Sequence, residues 1–165
     1  MNYWITTDTH FGHDKLINYC ERPEGFEKLI LKRLTAVLKP ADILIHLGDF
    51  CIGNDLDWHL RFEEISSCRK WLIRGNHDKK TASWYLRNGW DFIANYIGIQ
   101  MFGKKILLSH IPQEDNGFDI NLHGHFHNSD HRRHEPELKA IQTEKHKVVM
   151  LEHHYQPQLL RRLAE

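Results

Sequence analysis

Five short polar clusters follow one another along the chain, each where an apolar, strand-like run stops. They are Asp8-Thr9-His10, Gly48-Asp49, Gly75-Asn76-His77-Asp78, Ser109-His110 and Gly124-His125-Phe126-His127. A fold that gathers these residues must bring several strand ends to one rim, as α/β sheets do at the carboxyl ends of their strands. Aspartate, asparagine and histidine supply the oxygen and nitrogen donors that suit divalent first-row cations. The pattern therefore reads as a metal site.

Runs rich in Ile, Leu, Val and aromatics predict strands at 3–7, 42–47, 70–73, 97–102, 105–109, 119–122 and 145–151. Helices are predicted at 26–39, where Leu29, Ile30, Leu34, Val37 and Leu38 lie near one face, and at 56–65. A third runs from an N-cap at Thr81 to Asn88, with Gly89 supplying the left-handed residue that ends it. The first half is thus β-α-β-α-β. Gly103-Lys104 reads as a two-residue hairpin turn, so the second half is antiparallel or mixed sheet. Two sheets packed face to face, with helices outside, would bury these runs. Residues 128–139 are polar and predict an exposed loop, and a short amphipathic tail with Leu159, Leu160 and Leu163 follows Pro157.

A length of 165 residues suits one domain, 1–165, with a substantial core. No apolar run is long enough to span a bilayer, so no membrane association is expected. The opening Met1-Asn2-Tyr3-Trp4-Ile5 carries no signal-peptide pattern, and the expected location is cytoplasmic. Cys20, Cys51 and Cys68 are widely spaced, form no Cys-x-x-Cys pair, and read as reduced bystanders. Lys and Arg balance Asp and Glu at 22 each, so no net field favours nucleic acid, and stable nucleic-acid binding is not expected.

Of the fourteen histidines, five belong to the clusters. His46 and His123 sit inside apolar runs and read as hydrogen-bonded interior residues. His59, His131, His134, His146, His153 and His154 read as surface residues. His13 shares a loop with Asp8 and His10 and is placed to reach a substrate. Individually the clusters have ordinary explanations: a loop aspartate caps or turns, and Gly75-Asn76-His77-Asp78 could be an Asx turn whose glycine permits a sharp bend. In Gly124-His125-Phe126-His127 two imidazoles share one face of an extended segment. The five together, in this order, argue for one site.

The order D-x-H, G-D, G-N-H-D, H, G-H-x-H resembles the calcineurin-like metallophosphoesterases, and the match spans Asp8 to His127. The D-T-H-F-G-H opening (Asp8 through His13) and the H-G-H-x-H-N ending (His123 through Asn128) are closest to the short single-domain bacterial and phage members. The resemblance implies a four-layer α/β/β/α sandwich. It implies one cation on Asp8, His10, Asp49 and His127, and another on Asn76, His110, His125 and the shared Asp49. A hydroxide held between the cations would attack phosphorus. His77 would stabilise the phosphoryl oxygen or protonate the leaving alkoxide. His13 and Arg74 are the candidates for substrate binding, with tying its own loop down as the favoured alternative for Arg74, and Asp78 either orients His77 or stabilises the turn.

The stretch Gly48-Asp49-Phe50-Cys51-Ile52-Gly53-Asn54 lacks the acid and arginine of the Ser/Thr protein phosphatases, and Ile52 stands where purple acid phosphatases place a tyrosine. The resemblance therefore favours a phosphodiesterase acting on a small phosphoester or nucleotide. Its cofactors would be two divalent ions, manganese favoured, with iron, zinc or nickel as alternatives. A phosphomonoesterase or a nuclease could use the same centre, the nuclease drawing on Arg69-Lys70, Lys79-Lys80 and Arg132-Arg133. A non-catalytic scaffold of the same fold is disfavoured because His77 and every ligand position are present.

Overall fold

Alternation along the first strands decides what packs where. In β2 (Ile43–His46) every residue is buried, yet its side chains serve two cores. Ile43 and Ile45, with Leu47 beyond the strand, join Ile5 and Ile73 against Ile106, Leu108, Ile120 and Leu122. Leu44 turns the other way, with Leu72, into a cluster with Phe26, Ile30, Leu34, Phe62 and Tyr85. The first cluster fills the space between two sheets, and the second lies under helices. A sheet covered on both faces needs apolar residues at successive positions, which is why β2 reads as a continuous run. Each fully buried Leu, Ile or Phe contributes about 1.5–3 kcal/mol.

The computed structural model describes residues 1–114, 117–127, 147–151 and 156–165. The first sheet has the order β4-β3-β2-β1-β9, with β1 (Tyr3–Thr6), β2, β3 (Arg69–Ile73) and β4 (Phe92–Ala94) parallel and β9 (Gln158–Leu159) antiparallel to β1. The second has the order β5-β6-β7-β8. There β5 (Tyr96–Met101) is antiparallel to β6 (Lys104–Ser109), while β7 (Ile120–His123) and β8 (Lys147–Met150) run parallel to β6. Helices α1 (Leu16–Tyr19), α2 (Phe26–Val37), α3 (Asp55–Glu63), α4 (Ala82–Arg87) and α5 (Leu160–Ala164) complete the described chain. Two mixed sheets flanked by helices make the expected α/β class. Thr6 pairs with His46 and His46 with Leu72, so the loops leaving β1, β2 and β3 start side by side.

Thr81 caps α4 as expected, accepting from the Trp84 N–H at 3.2 Å, and Gly89 beyond it has φ +89°. The hairpin turn is displaced by one residue from its expected place. Phe102 and Gly103 form it, with φ +53° and +73°, and Lys104 pairs with Met101. A two-residue turn that matches strand twist needs positive φ at both positions, with glycine favoured at the second. The predicted loop at 128–139 lies outside the described residues, as do Arg132-Arg133 and His131, His134, His146, His153 and His154.

Candidate metal centre

The five polar clusters lie at the carboxyl ends of β1, β2, β3, β6 and β7, on one rim of the two sheets. Among the described residues seven non-glycine positions have positive φ, and five of them are Asp8 (50°), His10 (47°), Asp49 (57°), His125 (79°) and His127 (48°). A left-handed backbone costs most side chains about 1–2 kcal/mol, although Asp and His tolerate it better. Such conformations persist where the surroundings over-determine them.

The surroundings here are ties between loops. The amides of Asp8 and His10 donate to the carbonyls of Gly48 and Asp49, each at 3.0 Å. The buried Arg22 guanidinium donates to the Asp8 carbonyl at 2.6 Å and the Thr9 carbonyl at 2.7 Å. Asp78 accepts from the amides of Gly75, Asp49 and Phe50 at 2.8, 2.9 and 3.1 Å. It therefore stabilises the turn and joins it to the loop after β2, and does not orient His77. His46 accepts from the Gly48 N–H at 3.1 Å and meets Thr9 Oγ1 at 2.9 Å, so it is the hydrogen-bonded interior residue expected, and burial pushes its pKa down to about 3.

Three cluster glycines mark close approaches. Gly75 is not in the left-handed region, and the turn it opens, closed by the Asp78 N–H on the Gly75 carbonyl at 3.3 Å, also needs room. A Cβ there would collide with the amide and Oδ1 of Asp49 and lie 2.9 Å from its Cγ. A Cβ on Gly124 would strike Asp8 Oδ2 and Thr7 Oγ1, and one on Gly48 would lie 2.6 Å from the Gly75 nitrogen. Each glycine lets one loop press against another.

Two groups of side chains converge, Asp8, His10 and His127 in one and Asp49, His110 and His125 in the other, with the donor atoms of each group within 4.8 Å of one another. Asp8 Oδ2 accepts from Thr7 Oγ1 at 2.5 Å and from the His125 N–H at 2.9 Å. Its Oδ1 is buried without a hydrogen-bond partner, as are both ring nitrogens of His10, and His10 Nε2 and His127 Nε2 lie 3.7 and 3.6 Å from it. Buried polar atoms without partners are rare. Their convergence with a donor set of two nitrogens and carboxylate oxygen fits a divalent cation.

In the second group His110 Nε2 lies 2.9 Å from Asn76 Oδ1 and 3.1 Å from His125 Nδ1, while its Nδ1 is turned to the Leu47 carbonyl at 2.8 Å. Asp49 Oδ2 stands between the groups, 3.5 Å from His10 Nε2 and 3.4 Å from His110 Nε2. Its Oδ1 accepts from the His77 N–H at 2.8 Å. The His77 imidazole, 44% exposed, reaches the rim with Nε2 3.9 Å from Asp49 Oδ2.

Charge follows this crowding. Burial alone would raise Asp8, but the imidazoles of His10, His127 and His110 outweigh it and hold the carboxyl far below its ordinary range. Burial alone would lower His110, but Asp49, Asp8 and the Leu47 carbonyl outweigh it and push its pKa up to about 9. Burial wins at His127, which is pushed down to about 4, and with His10 and His77 nearby it also lowers His13.

The structure thus brings all seven predicted ligand residues together, with His77 on the rim and His13 beside them, its ring centroid 5.6 Å from that of His10. Arg74 lies farther along, in the wall of a cleft that includes Asn76 and His110. His123 is buried as expected, its Nδ1 on the Gly124 carbonyl at 2.8 Å. His59, expected at the surface, is buried: α3 turns it inward with Phe62, and its ring packs 4.4 Å from that of Phe50. Arg22 escaped the sequence reading because its partners are backbone carbonyls, which leave no residue-type signature.

The chain belongs to the calcineurin-like phosphoesterase family, whose sequence model matches residues 1–162. An uncharacterized protein of Methanocaldococcus jannaschii is 31% identical over 134 residues, which are 75% of this chain and 68% of that one. A protein of unknown function from Aquifex aeolicus has the same fold with a TM-score of 0.78 and 30% identity, covering 99% of this chain and 97% of its own. A novel archaeal phosphodiesterase shares the fold with a TM-score of 0.52 and 17% identity, over 92% and 84% of the two chains. Family membership implies divalent cations, and the two groups above are where the described residues could hold them.

Proposed function

We propose that the protein hydrolyses a phosphodiester with two divalent cations, one held by Asp8, His10, Asp49 and His127 and the other by Asn76, His110, His125 and Asp49. The observation that carries this reading is the position of Asp49 Oδ2, within 3.5 Å of a donor nitrogen from each group. When bound, the cations supply Lewis-acid charge for the phosphoryl oxygens and for the attacking water. His77 donates a proton to the departing alkoxide or a hydrogen bond to a phosphoryl oxygen. Its backbone N–H holds Asp49 Oδ1, so the same residue orients the shared carboxylate. His13 reaches the substrate from the His10 side and Arg74 from the Asn76 side. Donor type leaves manganese, favoured here, beside iron, zinc and nickel.

A diester is preferred because Ile52 and Gly53 stand where the Ser/Thr protein phosphatases carry an acid and an arginine, and a monoanionic diester asks less positive charge of the site than a dianionic monoester. The substrate is a small phosphoester or nucleotide, and residues 1–165 act as one catalytic domain. No described helix is long and apolar enough to cross a membrane, and three free, buried cysteines suit a reducing cytoplasm. The test compares kcat/KM for matched aryl diester and monoester substrates on manganese-loaded protein. The diester should be cut faster, and a clear monoester preference would make the enzyme a phosphatase.

A further inference from the structure

A cleft of about 340 Å³ opens beside the second ligand group, where the end of β3, the β4–β5 junction and the end of β6 meet. Asn76 and His110 belong both to its wall and to that group, so a phosphate seated over the centre has this cleft next to one of its ester oxygens. The rest of the wall includes Arg74, Asn95, Tyr96 and Ile111. Tyr96 is 66% exposed and Ile111 48% exposed. Single exposed apolar residues are ordinary, but these two line one cleft at the edge of the polar centre. Arg74 stays in that wall with its guanidinium carbon 5.9 Å from the Tyr85 ring centroid and its Nε buried without a hydrogen-bond partner.

Resting on the phosphodiester reading above, we infer that this cleft receives a nucleobase carried by the substrate, stacked on Tyr96. The volume is at the lower end of small-ligand pockets, about 300–1,000 Å³, which suits one ring system. An exposed tyrosine offers a flat face that any base can use. The Asn95 amide supplies a donor and an acceptor for a base edge, and Arg74 adds positive charge to the same wall. An aliphatic ester substituent would leave both the aromatic face and these polar groups unused. The cleft therefore selects nucleotide diesters over simple alkyl diesters, while the ligand groups act on the phosphate common to both.

The test uses manganese-loaded protein of residues 1–165 and four diesters without an aryl leaving group: thymidylyl-thymidine, its two singly abasic analogues, and the doubly abasic analogue. Wild-type kcat/KM should fall roughly 5- to 100-fold when the recognised base is removed. Tyr96→Ala should lower thymidylyl-thymidine cleavage by a similar factor and leave the doubly abasic diester within about twofold of wild type. Tyr96→Phe should retain the preference. Equal loss on both substrates, or no wild-type preference for the base, overturns the inference. If wild type cuts none of the four, the phosphodiester reading fails, and the cleft is then judged by binding. Thymidine 5′-monophosphate and inorganic phosphate are titrated onto wild type and Tyr96→Ala. A base-dependent affinity lost in Tyr96→Ala upholds the cleft assignment, and equal affinities overturn it.

Discussion

Gly75→Ala tests whether the ligand loops interlock as the packing implies. The new methyl would enter contact with the amide nitrogen, Oδ1 and Cγ of Asp49, and neither side has room to give. Asp78 Oδ2 holds the Gly75 amide at 2.8 Å and the Asp49 amide at 2.9 Å, so the loops cannot separate without breaking at least one of these bonds. Overpacking of this kind costs about 1–3 kcal/mol. For a chain of this size that is a fall in Tm of roughly 2–12 °C. The larger effect falls on function, because relief comes most directly from moving the Asp49 carboxylate, and a misplacement of about 1 Å in a reacting centre can cost roughly 10²-fold. Gly53→Ala is the control: its Cβ meets no atom within 4 Å, and φ of +96° leaves backbone strain alone. Thermal unfolding, metal content after dialysis and turnover are measured on both variants. Metal content and turnover in Gly75→Ala within twofold of wild type would refute the interlocking argument.

His77→Ala should keep its metal content and lose turnover by about 10²–10⁴-fold, with a smaller loss for a nitrophenolate leaving group that needs little protonation. Equal losses for good and poor leaving groups would assign His77 to the phosphoryl oxygen instead. With its pKa raised to about 9, His110 carries a proton at neutral pH that must leave before Nε2 can hold a cation. Metal affinity should therefore rise about tenfold per pH unit up to that pKa, and calorimetry at pH 7 in buffers of different ionisation enthalpy should find about one proton released from His110. The sign reverses for the metal-free chain. The stabilisation from protonated His110 is fully present below about pH 6.5 and is lost as pH rises through about 9. Metal uptake without proton release at pH 7 would sink this account.

The ligand positions were legible because their chemistry and their placement coincide: Asp8, Asp49, Asn76, His110 and His125 each follow a strand whose apolar run announces it. Side-chain type carries that signal. The supports were only partly legible: turn stabilisation is one of the two roles read for Asp78, but its reach to the Asp49 and Phe50 amides and the grip of Arg22 on backbone carbonyls use groups that any loop can offer. The turn at Gly75 is legible, but its need for space beside Asp49 is not, because only a neighbouring loop creates it. Among the elements, β4 has three residues, β9 two and α1 four. Such lengths are shorter than either periodicity needs to declare itself, and tertiary pairing with β3 and β1 creates the two strands.

The supports and the ligands are separable, and that separation follows from which atoms each uses. Arg22 grips the loop after β1 by its carbonyls, whereas Asp78 grips the loops after β2 and β3 by their amides. Neither hydrogen-bonds to a ligand-type side chain in these contacts, so the imidazoles and the free carboxylate oxygens stay available to a cation. His46 ties the same loops a third way, from the Gly48 amide through its ring to Thr9 Oγ1, which donates on to the Phe50 carbonyl at 2.7 Å. A proton on Nδ1 would break that chain, because Nδ1 is the acceptor for Gly48. Burial keeps the ring neutral, with a pKa near 3, so this tie holds throughout the pH range in which His110 gains and loses its proton. The centre can therefore change its own charge while the frame around it stays in place.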